Sequence, residues 1–117
     1  MTVHERQIGD VTLLELSGRL VFDDGDAALR TRVNRLVGEG RVKLLVNLSN
    51  VTYVDSCGVG VLVGRFISVR RHGGDLKLLQ LSSRSRHVME ICGLLNVFDV
   101  FESETEAVAS FARQQAQ

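Results

Sequence analysis

Two leucine- and valine-rich runs, VKLLVNL at 42–48, apolar almost throughout, and DLKLLQL at 75–81, set the tightest limit on what this chain can become. A strand with one face in water alternates apolar and polar residues, whereas a strand that is apolar nearly throughout is covered on both faces. Between the two runs, Val59, Leu62, Val63, Phe66 and Ile67 recur at the spacing of one helical face, and Gly73-Gly74 close that segment. Buried strand, amphipathic helix, buried strand is the pattern of a sheet with helices packed on it.

The flanking segments extend the same alternation. TVHERQIG and VTLLELSG read as two strands joined by a turn at Gly9-Asp10, and RLVF reads as a minor third strand. Asp23, Asp24 and Asp26 precede a helix with Leu29, Val33, Leu36 and Val37 on one face, where their charges oppose the positive end of the helix dipole. Gly38 and Gly40 stop it. The cluster Arg70, Arg71, His72 falls in the last turn of the second helix, where cations meet the negative end. RSRHVMEICGLL predicts a third helix with Val88, Ile91, Cys92 and Leu95 inward, VFDVF a last short strand, and SETEAVASFA a fourth helix opened by a capping box of Ser103 and Glu106. The expectation is one α/β domain over 1–117, a mixed central sheet with about four helices packed mainly on one face.

Charge narrows the choice of partner. Fourteen basic residues balance fourteen acidic ones, which gives no electrostatic reason to bind nucleic acid or an anionic membrane. Aromatics are 5% and tryptophan is absent, so a base-stacking surface is not expected either. Cys57 and Cys92 form no C-x-x-C pair and read as reduced thiols. No signal-peptide layout opens the chain, and no apolar run approaches the ~20 residues that span a bilayer. A cytoplasmic protein without membrane insertion is the expectation.

The stretch VDSCGVGVLVG, 54–64, carries the chemistry. Its glycines read G-x-G-x-x-x-G, one residue too long for a dinucleotide fingerprint, and no Walker lysine follows. Ser56 follows Val54 and Asp55, so it is not a G-x-S-x-G nucleophile. A phosphatase loop built on Cys57 needs an arginine six residues on, where Val63 stands. His4, His72 and His87 match no metal-ligand spacing. Asp55 or Ser56 as a helix cap is the plain reading, worth ~1 kcal/mol. Capping does not account for Gly58 and Gly60, each of which costs a helix ~1 kcal/mol relative to alanine. Close approach of another backbone to a bare helix end does. At 100° per residue, Cys57, Val61, Gly64, Arg65 and Ser68 lie opposite the core face, a small, weakly polar patch suited to docking. A helix N-terminus beside it readily accommodates phosphate.

LLVNLSNVTYVDSCGVGVLV, followed by RRHGGDLKLLQLSSRSRHVMEICGLLNVFDVFES, resembles the STAS-domain anti-sigma factor antagonists over essentially the whole chain. The D-S-x-G-x-G-x-L core (Asp55, Ser56, Gly58, Gly60, Leu62) is the most specific part. The resemblance implies that Ser56 is phosphorylated by a partner anti-sigma factor that is also a serine kinase. It implies too that the unphosphorylated antagonist binds that partner and frees a sigma factor, and that a phosphatase acting on phospho-Ser56 resets the switch. Partner contacts are expected at Asp55, Cys57, Gly58, Gly60, Val61, Gly64 and Arg65, with Asp23 and Asp24 at the neighbouring corner. No cofactor, metal or catalytic residue is expected. Three positions depart from the family's usual residues: Val21, Asn47 and Cys57. Other readings of the residues remain open: a scaffold or sensor module of another signalling complex, a soluble accessory subunit of a membrane transport system, or an enzyme using Cys57 or Ser56.

Overall fold

The computed structural model of the chain describes residues 1–115, with side chains through Ala112; positions 116 and 117 of the expected domain lie outside the described residues. Strands β1 (Thr2–Ile8) and β2 (Val11–Leu20) form an antiparallel hairpin. Then α1 (Gly25–Gly38), β3 (Lys43–Val54), α2 (Ser56–Arg71), β4 (Asp75–Leu81), α3 (Ser83–Ile91), β5 (Val100–Phe101) and α4 (Glu104–Gln115) follow in strict alternation. The sheet order is β1-β2-β3-β4-β5, and every pair after the hairpin is parallel. Helices α1, α2 and α3 are therefore crossovers that return the chain to the same end of the sheet, and α4 follows the last strand.

The two apolar runs are the middle of that sheet, covered on both faces as expected. On one face, Leu14, Leu16, Leu44, Val46, Leu48, Leu76 and Leu78 pack under Leu29, Val33 and Leu36 of α1, Leu62 and Val69 of α2, and Met89 of α3. On the other, Val11, Leu13, Leu45 and Leu79 meet Ala107 and Phe111 of α4. Three helices thus share one face and one lies opposite. Each fully buried leucine contributes roughly 1.5–3 kcal/mol relative to exposure. Lys77 interrupts the run on the α4 side: its Nζ donates to Ser110 Oγ at 2.8 Å and lies 4.6 Å from the Phe111 ring centroid, so the buried charge is met on two sides. Ser103 Oγ accepts from the Glu106 amide at 3.2 Å, capping α4 as its sequence predicts.

Four expectations need correction. RLVF is not a separate strand: β2 continues to Leu20, and Gly18 at φ +115° absorbs a shift of register that would strain any side chain. VFDVF shortens to the two residues of β5. The third helix turns Ser85 and Met89 inward while Ile91 is 72% exposed, because the helix ends at Ile91 and Cys92 is already its C-cap. In α2, Ile67 is 43% exposed and Val61 is only 4% exposed, the reverse of the expected faces. That helix packs against α1 as well as against the sheet, and the second neighbour buries the side that periodicity assigned to solvent.

Candidate functional site

The parallel strands β2 and β3 end side by side, with Leu20 opposite Val54, and the chain turns there into α2. Asp55 is the N-cap, in extended backbone geometry. Its Oδ1 accepts from the Gly58 amide at 2.9 Å and its Oδ2 from the Phe22 amide at 3.0 Å. One carboxylate thus ties the start of α2 to the segment leaving β2. Its own amide donates to the Leu20 carbonyl at 3.4 Å. The Phe22 and Gly58 amides hold the Asp55 carboxyl below the usual carboxylate range, Phe22 contributing most. With both oxygens committed to amides, Asp55 is an anchor rather than a proton acceptor for its neighbour.

Ser56 is the first residue of α2 and is exposed. The helix ladder begins behind it, where the Val59 amide donates to the Asp55 carbonyl at 3.0 Å. The glycines that follow differ in kind. Gly58 is buried: a Cβ there would lie 2.0 Å from the Leu20 carbonyl oxygen, so the first turn of α2 reaches the end of β2 only without a side chain. Gly58, expected among the partner contacts, is therefore off the accessible surface. At Gly60 and Gly64 a Cβ would meet nothing within 4 Å.

That open space is the floor of a groove of about 330 Å³ between α1 and α2. Cys57, Gly60, Gly64 and Arg65 line it from α2, with Val61 buried at its base. Arg65 crosses to α1, donating through Nη1 to Asn34 Oδ1, while its Nε is buried without a partner. Phe22, Asp26 and Arg30 complete the walls, and the sequence reading missed all three as site residues. Phe22 is 69% exposed at the rim, which an isolated aromatic between a strand and an acidic run does signal. Asp26 is buried, accepting from the Ala27 amide at 2.7 Å and facing Arg30 at 3.8 Å. Asp24, by contrast, is engaged by the Met1 amino group at 2.9 Å, and Asp23 is exposed at φ 59°. Of the three helix-start acids, Asp26 therefore lines the groove and the other two lie outside it.

The arrangement presents the exposed Ser56 hydroxyl on a capped helix start beside an open groove. Among the described residues, no group of three His, Cys, Asp or Glu side chains converges as metal ligands, and no helix is long and apolar enough to cross a membrane.

A family model for the STAS domain matches residues 3–107. An anti-sigma-B factor antagonist of Bacillus subtilis (strain 168) is 40% identical over 72 residues, covering 62% of this chain and 65% of its own length. The match thus spans less than two thirds of that relative. Among solved structures, the anti-sigma factor antagonist SpoIIAA in its unphosphorylated form superposes with a TM-score of 0.77 at 23% identity, covering 92% of this chain and 93% of that one. The Bacillus SpoIIAA in its phosphorylated form gives 0.73 at 22% identity, covering 93% and 98%. At such identities the likeness is one of fold.

Proposed function

The chain belongs to the STAS domain family, and from that premise we propose that it is an anti-sigma factor antagonist switched by phosphorylation at Ser56. The observation that carries the reading is Ser56 itself, exposed at the first position of α2 and held forward by the doubly bonded Asp55. Relatives named as anti-sigma factor antagonists support it.

In the unphosphorylated state the protein binds an anti-sigma factor that is also a serine kinase, and so releases a sigma factor. The Ser56 end of α2 and the adjoining groove take the contact, with Cys57, Gly60, Gly64 and Arg65 on the exposed side. Transfer of a phosphoryl group from ATP to Ser56 Oγ, with the kinase accepting the hydroxyl proton, leaves a phosphoserine and ADP. A phosphatase hydrolyses the ester and restores the hydroxyl. The phosphate adds about −1.5 to −2 charges at pH 7. The fold tolerates them at a helix N-terminus, where dipole and amides favour an anion. The interface does not, because desolvation and repulsion fall on the docked partner. In this reading the protein is a regulatory substrate rather than an enzyme, and it works in the cytoplasm.

The test is capture from the source cell by wild type, Ser56→Ala and Ser56→Asp. An ATP-binding kinase retained by Ser56→Ala and lost with Ser56→Asp is the expected result. Equal retention of every partner by both variants overturns the reading.

A further inference from the structure

The end of the sheet that carries Ser56 holds a second feature. Tyr53, three residues before Ser56 on β3, is 46% exposed. Two guanidiniums lie over its ring: Arg84 at 5.2 Å and Arg19 at 5.8 Å from the centroid. Arg19 stands opposite Tyr53 in the β2–β3 register, and Arg84 lies in the first turn of α3, just after β4 ends. The cluster therefore draws on the carboxyl ends of three parallel strands, the side of an open α/β sheet where ligands bind.

Among the described arginines without an ion pair, Arg65 donates to Asn34, whereas Arg19 and Arg84 converge on one exposed ring. Arg6, Arg30, Arg32, Arg35, Arg41, Arg70 and Arg86 each meet a carboxylate within 4 Å. Among the described ion pairs Arg19 and Arg84 have none; their neighbour is the Tyr53 ring. Placement adds to the point, since α3 opens with Arg84 and Arg86 and has no acid in its first turn. Cations at the positive end of a helix oppose its dipole, so local stability does not account for Arg84 there. An exposed tyrosine under two arginines without carboxylate partners has the composition of an interface anchor.

We propose that Tyr53, Arg19 and Arg84 form a docking platform for an acidic segment of the protein that phosphorylates Ser56. The inference rests on the switch described above. The platform supplies planar donor forks for carboxylates and an aromatic face to position them. It also gives the switch its sense: acidic side chains drawn against this edge meet a new dianion when Ser56 is phosphorylated, and repulsion releases them.

Tyr53 is the one tyrosine of a chain without tryptophan, so 3-fluorotyrosine labelling places a single fluorine probe on the platform. The kinase retained by Ser56→Ala is purified and titrated into labelled protein, and affinities are measured for wild type, Arg19→Glu, Arg84→Glu and Tyr53→Ala. Expected are a shift of the fluorine resonance on binding and a loss of roughly thirtyfold or more for each variant, as for interface hot spots. Steep weakening with salt should accompany wild-type binding and flatten in the charge-reversed variants. Circular dichroism checks that the variants stay folded, and Arg19→Gln and Arg84→Gln repeat the test without reversing charge. Wild-type affinity in all the variants overturns the platform while leaving the switch intact. A fluorine shift with Mg-ATP alone, unchanged by the kinase, overturns it as well, since the cluster is then a nucleotide site. Failure of Ser56→Ala to capture any kinase counts against the switch itself, and the platform falls with it.

Discussion

Gly58, Gly60 and Gly64 are indistinguishable as letters and differ in what a methyl group would meet. At Gly58 it would strike the Leu20 carbonyl, and at the other two it would enter open groove. Gly58→Ala is therefore expected to destabilise the fold by roughly 3 kcal/mol, the upper range for overpacking. Gly60→Ala and Gly64→Ala should instead stabilise it by up to ~1 kcal/mol, the helix-propensity gain. Urea denaturation of the three variants separates these outcomes, and a common sign would contradict the packing described. Asp55 gives a second test at this scale. Its carboxyl is held low in the folded state, so its stabilisation is present above the unfolded value of about 3.9 and is lost as pH falls through the lower, folded value. The stability gap between wild type and Asp55→Ala is expected to be widest near neutral pH and to close on acidification. A gap that widens in acid would reverse the assignment.

At the scale of elements, the sequence makes the strands plain and the helical phases less so. VKLLVNL and DLKLLQL declare a sheet covered on both faces because leucine and valine dominate each run, despite Lys43, Asn47, Lys77 and Gln80. The hairpin at Gly9-Asp10 and the capped start of α4 are equally legible, being set by neighbours in sequence. In α2, periodicity marks a single core face through Val59, Leu62, Val63, Phe66 and Ile67. A helix pressed against both a sheet and α1 buries a wider arc, and Val61 lies on the added side. For α3, the buried position is Ser85, whose hydroxyl bonds back to the Ser82 carbonyl at 3.2 Å, so a count of apolar letters passes over it. The candidate site was half legible. Ser56 and Asp55 announce themselves by motif; Phe22, Asp26 and Arg30 join the groove only through tertiary placement. The phase of α2 is open to direct measurement. Ile67→Lys should change stability by no more than about 0.5 kcal/mol, while Val61→Lys should cost roughly 4 kcal/mol or more by burying an unpaired charge. Thermal melts decide it, and matched losses at the two positions would refute the two-sided packing.

Over the whole molecule, the packed core and the proposed switch site occupy different places. The core lies between the sheet and its helices, whereas Ser56 sits at the sheet's end, beside Asp55 and flanked by the groove between α1 and α2 and by the Tyr53 cluster. In the proposed reading, a charge added at that end alters what docks there while the packed layers stay as they are. The central claim is tested most directly by calorimetric titration of the purified partner kinase, held in its ADP state, into two forms of this protein: unphosphorylated and phosphoserine at 56. Amide correlation spectra of both free forms are recorded beside it. The account predicts affinity weaker by at least about tenfold in the phosphorylated form, a difference of 1.4 kcal/mol, with spectral changes confined to Phe22 and the start of α2. Equal affinity for the two forms, or a loss accompanied by rearrangement across the sheet, would contradict it.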